Sequence, residues 1–166
     1  MKEKISVMMK WAVLGNIAHL IVAGLNIQMN KDNMGVMILL TVVSLLVWVL
    51  IGYKYGSAEV KGKEADLLFF GLLCILPIFV YVISSQVLQG MAGSFNNMQN
   101  YNLFYFLGAP ALFWNTPFYP IMKLFHESNI YIQMNINMML VVLFSFMGAY
   151  AGRSFRIAKL KKSRKN

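Results

Sequence analysis

The chain is short of almost everything a water-facing surface or an active site is built from. Only 13% of its 166 residues are charged, about half the share usual for a soluble domain. The few charges are clustered, which leaves long stretches with none. That is the pattern hydrocarbon demands, because an ionised group at a bilayer centre costs from ~2.5 to over 10 kcal/mol. There are 6 acidic residues, and none falls within the four long apolar stretches, so a buried aspartyl dyad or a carboxylate-held metal has no ligands there. A single cysteine, Cys74, leaves no internal disulfide and no cysteine cluster; in its apolar run it reads as a small buried hydrophobe. Two histidines exclude a histidine-rich metal site. No H-E-x-x-H, G-x-S-x-G or phosphate-cradling glycine loop occurs. His126 and Glu127 are adjacent, and adjacent residues on a helix do not face each other. We therefore expect no catalytic residues, no cofactor, no metal and no enzyme. The 13 methionines suit copper(I) in principle, but in an apolar chain they read as gap fillers.

What is present is apolar length. With 58% hydrophobic residues, four stretches meet the roughly 20 residues needed to cross about 30 Å of hydrocarbon. They run over 11–30, 34–53, 67–89 and 130–152. The second is rich in β-branched residues, yet its length decides for helix. The third carries Pro77, which a membrane helix tolerates when neighbours satisfy the freed carbonyl. The first could pass for a signal peptide, with lysines ahead of it and Val22-Ala23-Gly24 resembling a cleavage site. Asn16 and His19 interrupt its apolar region and argue against that.

All but two of the 15 basic residues fall in three segments: the N-terminus, the connection carrying Lys54, Lys61 and Lys63, and the tail. Only Lys31 and Lys123 fall elsewhere. Four spans place the three basic segments on one side, and cationic loops mark the cytoplasm. The expected fold is thus an all-α integral membrane domain, residues 1–166, with four transmembrane helices and both termini cytoplasmic. Its place is the plasma membrane as a multi-pass protein, and its lysine, asparagine and isoleucine usage has a bacterial cast.

Residues 90–129 would form an outer-face segment. It opens polar and turns aromatic, with Phe104, Tyr105, Phe106, Phe113, Trp114, Phe118 and Tyr119 suiting a headgroup layer. Pro110, Pro117 and Pro120 forbid one continuous helix. A fifth crossing would put the basic tail outside, so the segment is expected to lie on the bilayer or re-enter it.

Polar groups inside the spans are the remaining signal. On a helical wheel of about 100° per residue, Asn16, His19, Asn26 and Asn30 share an arc of about 80° with Ala12 and Ala23. Such a stripe must pack on other helices or line a wet cavity. Interhelical hydrogen bonding is the plainer reading; a solute or proton path past Asn16 and His19 is the sharper one. On the fourth span Met134, Met138, Val141, Ser145, Gly148 and Gly152 share a face. Its G-x-x-x-G pair permits close helix approach, either inside the bundle or between copies. On the third, Cys74, Pro77, Tyr81 and Ser84 fall on one side and are expected to face the bundle centre, which leaves the second span as the most lipid-exposed. The tail (residues 153–166), with Arg153, Arg156, Lys159, Lys161, Lys162, Arg164 and Lys165, is suited to an anionic inner leaflet. It lacks the stacking groups that nucleic-acid binding would need.

Two functions fit. One is a non-enzymatic, membrane-embedded interaction, accessory, regulatory or immunity-type protein acting on a membrane partner or by self-association. The other is a small-solute or ion transport component with a polar path along the first helix.

Overall fold

The computed structural model describes residues 2–29, 33–58, 64–92, 108–125 and 128–163. The described chain is all-helical: α1 (Lys2–Gln28), α2 (Met34–Ala58), α3 (Glu64–Ala92), a short helix α4 over 108–115, a 3-10 turn at Thr116–Phe118, α5 (Tyr119–Leu124) and α6 (Ile130–Ser163). Four of these, α1, α2, α3 and α6, are long and apolar enough to cross a membrane, so the chain is consistent with a multi-pass membrane protein.

Each long helix outruns the stretch that hydropathy marks. A hydrocarbon boundary ends the need for apolar side chains but not the backbone hydrogen-bonding that sustains a helix. α1 therefore takes in the charged N-terminus, and α6 continues through Arg153 and Arg156 to Ser163. The starts are set locally. Asn33 Oδ1 accepts from the amides of Gly35 and Val36 (3.1 and 3.3 Å), and Asn129 Oδ1 accepts from Tyr131 N (2.9 Å). Both are asparagine caps on otherwise orphaned N–H groups. Glu64 and Asp66 open α3, where negative charge complements the helix dipole.

The tightest seam joins α2 to α6. Buried residues on α6 recur as Tyr131, Met134, Met138, Val141, Ser145, Gly148 and Gly152, a seven-residue repeat. The buried face of α2 includes Met37, Thr41, Ser44, Trp48, Gly52, Tyr55 and Gly56. Residues that meet across the seam rise in sequence number together, Val49 with Gly148 and Tyr53 with Gly152, so the two helices lie parallel. A side chain at Gly52 would collide with the carbonyl of Ser145, one at Gly56 with the carbonyl of Ala149, one at Gly148 with that of Val49 and one at Gly152 with that of Tyr53. Two G-x-x-x-G motifs thus interlock backbone to backbone. The expectation that α2 is the most lipid-exposed span holds only jointly with α1: the two are equally buried (28%), and both are less buried than α3 and α6 (39%). A helix without charge still packs closely where glycine lets the backbones meet.

α6 also packs on α3, and α1 on both α2 and α3. The α3 face named from sequence is corrected. Cys74 is fully buried, but Pro77 and Tyr81 are exposed. The face turned inward carries Leu67, Phe70, Cys74, Ile78, Val82 and Ser85. Proline and tyrosine have no reason to leave lipid, so the apolar bulk decided the rotation of this helix.

Candidate functional site

The polar stripe of α1 meets the segment formed by α4 and the 3-10 turn. His19 lies nine residues before the end of α1, about 13 Å along the axis at about 1.5 Å per residue, and it is completely buried. Its Nε2 is 2.7 Å from the carbonyl oxygen of Trp114, and its Nδ1 is 2.8 Å from Ser44 Oγ. A carbonyl can only accept, so Nε2 carries the hydrogen and donates; in the neutral ring Nδ1 then accepts from the Ser44 hydroxyl. Three aromatic rings enclose the imidazole: Trp114 at 4.4 Å, Phe118 at 5.4 Å and Trp48 at 5.7 Å between centroids.

Asn16, one turn deeper, is fully used. Its amide nitrogen donates to the carbonyls of Ala12 (3.0 Å) and Cys74 (2.8 Å), and its oxygen accepts from Trp114 Nε1 (3.2 Å). Pro77 cannot donate to the carbonyl of Leu73, and the Asn16 amide serves the carbonyl next to it, at Cys74. Nearer the end of α1, Asn26 donates to Thr116 O (3.0 Å). The Thr116 hydroxyl lies 2.8 Å from Phe113 O and 3.4 Å from Ala23 O. From α2, Thr41 donates to Pro117 O at 2.6 Å, with Met37 O at 2.9 Å. From α6, Asn137 Nδ2 donates to Asn115 Oδ1 (2.8 Å), while Asn115 Nδ2 donates to Ala111 O (2.8 Å). Side chains of α1, α2 and α6 therefore hold a proline-broken segment whose carbonyls no regular helix would satisfy. The prolines explain the need: Pro117 and Pro120 bring no N–H to the carbonyls of Phe113 and Thr116, which are served instead by the Thr116 hydroxyl, the Asn26 amide and the Tyr119 N–H.

Asn16, His19 and Asn26 are thus brought together by one object, the 108–118 segment. Asn30 lies outside the described residues, as do His126 and Glu127. Ser145, Gly148 and Gly152 sit apart, in the α2–α6 seam, where Ser145 Oγ donates within its own helix to Val141 O (2.7 Å). The tail cations Arg153, Arg156, Lys159, Lys161 and Lys162 ride on the extension of α6, all of them exposed except the half-buried Arg153; Arg164 and Lys165 lie outside the described residues. Among the described residues no group of three His, Cys, Asp or Glu side chains is placed to hold a metal.

Sequence reasoning missed Thr41, Ser44, Trp48, Asn115 and Asn137, and it missed Gly52 and Gly56. Thr41, Ser44 and Trp48 were readable as an i, i+3, i+7 line in an otherwise aliphatic helix, and Gly52-x-x-x-Gly56 repeats the motif of the fourth span. Nothing in the sequence pointed to Trp114 as the partner of His19.

Together these features describe an all-helical bundle, consistent with a multi-pass membrane protein, in which Asn16, His19, Asn26 and Thr41 converge on the segment 108–118. No family model matches the chain, and neither does any curated protein or solved structure.

Proposed function

We propose that this is a non-enzymatic membrane protein that acts by binding another membrane component, as an accessory, regulatory or immunity-type subunit, in the plasma membrane of a bacterial cell. Both termini are cytoplasmic in this reading. The segment 108–124 re-enters the bilayer from the outer face, and the tail from Arg153 to Lys165 lies against the anionic inner leaflet. The observation that carries the choice is the occupation of the bundle centre. Asn16, His19 and Asn26 donate to backbone carbonyls of neighbouring elements, and His19 is walled in by Trp48, Trp114 and Phe118. Groups committed in this way are not free to replace the hydration shell of a passing solute, whereas a filled bundle with apolar outer faces suits partner binding.

One observation favours the transport reading. Trp48 Nε1, beside His19, is buried without a hydrogen-bond partner among the described residues, and a hydrated path would supply one. Affinity capture of the tagged full chain from crosslinked native membranes separates the two. The interaction reading expects one membrane protein in stoichiometric amount. Recovery of the chain alone, together with solute flux in proteoliposomes that His19→Ala abolishes, would reverse the choice.

A further inference from the structure

A groove of about 410 Å³ opens between the first turns of α2 and the short helix α5. On the α2 side it is lined by Met34, Ile38 and Val42, with Thr41 between them. These positions make one helix face from Met34 to Val42, about 12 Å of axial rise. The α5 side contributes Ile121 and Leu124, and Lys123 stands in the same lining. The Thr41 hydroxyl is already committed to the carbonyls of Pro117 and Met37, so the wall is apolar in effect. Lys123 is exposed, and no ion pair joins it to another described residue.

The dimensions and the charge point to the same occupant. The groove begins at the first residue of α2, where the chain emerges from the apolar span, and runs inward for nearly the half-thickness of a hydrocarbon core, about 15 Å. The lining carries one cation, Lys123, and is otherwise hydrocarbon-like. We propose that this groove seats one acyl chain of a phospholipid from the surrounding leaflet, with the anionic headgroup phosphate on Lys123. A cation on a lipid-facing helix end is drawn to a phosphate in the adjacent headgroup layer, and a crevice of this depth lets the chain below it pack on side chains rather than on other lipid.

The test uses the full chain reconstituted in vesicles that contain phosphatidylglycerol with a photoreactive group in its acyl chain, the adducts being mapped by peptide mass spectrometry. Mapping by residue keeps this site distinct from the basic tail. Adducts are expected to concentrate on residues 34–42 and 120–124, above those on Leu46 and Leu50 of the same helix, which are exposed but lie beyond the groove. Lys123→Gln is expected to reduce the groove adducts about fivefold, the effect of one surface cation worth about 1 kcal/mol. Phosphatidylcholine with the same probe is expected at that lower level in the parent. Ile38→Trp, at an exposed position, should displace the adducts by filling the groove. Labelling spread evenly over the exposed apolar residues would overturn the proposal, as would adducts indifferent to Lys123→Gln or a crosslink between two copies of the chain at this face.

Discussion

Gly148→Ala is expected to lower the stability of the folded bundle by about 3 kcal/mol or more, a large effect for one methyl group. The added carbon would meet the backbone carbonyl of Val49, and a backbone atom in a packed helix cannot rotate away as a side-chain tip can. The helices must separate, and the seam loosens along its length, because Gly52, Gly56 and Gly152 make equivalent approaches. Gly24→Ala supplies the contrast. A side chain there meets nothing within 4 Å, so only helix propensity remains, and that favours alanine by about 0.5–1 kcal/mol. Thermal unfolding of the two variants in the same detergent checks the pair: the first should melt well below the parent and the second at or above it. Equal behaviour would mean that α2 and α6 are not in backbone contact.

His19→Ala is expected to act on a different part of the molecule. It strips the Trp114 carbonyl and the Ser44 hydroxyl of their partner and leaves a void between Trp48, Trp114 and Phe118. Unpaired buried groups and a cavity together cost about 2–4 kcal/mol. The loss falls on the 108–118 segment, while the α2–α6 seam stays closed. Tryptophan emission reads this directly, since two of the three tryptophans, Trp48 and Trp114, flank the ring. A red shift in His19→Ala that is partly reversed in His19→Gln, whose amide can still donate to a carbonyl, is the expected result. An unshifted spectrum in His19→Ala would show that the imidazole does not hold the segment.

How far these features could be read in advance depended on whether one residue or two carried the information. Span positions needed only apolar length. The stripe of Asn16, His19 and Asn26 needed only helical spacing, because polar groups in hydrocarbon must turn inward. What the stripe turned toward was not legible: residues 108–118 contain two prolines and a 3-10 turn, so they have no period from which a face could be computed. The glycine seam was half legible. Gly148 and Gly152 announced a close approach, and Gly52 and Gly56 offered the matching surface, but a lone G-x-x-x-G does not name its partner. The α3 face failed for a chemical reason. Pro77 and Tyr81 were grouped with Cys74 and Ser84, although neither proline nor tyrosine is barred from a lipid-facing position, and the wholly apolar side chains of Phe70, Ile78 and Val82 turned inward instead.

The central claim is that the α1 stripe is closed over by packing and does not open on water, and the native cysteine tests it without any substitution. Cys74 is fully buried in the same core cluster as Ala12 of the stripe and Trp48, so a bundle centre opened to water would expose its thiol. A small charged thiol reagent applied to either side of sealed membrane vesicles should leave Cys74 unmodified and should label it fully once the protein is denatured. Labelling of the native chain from either side would contradict a filled bundle and put a water-lined path in its place.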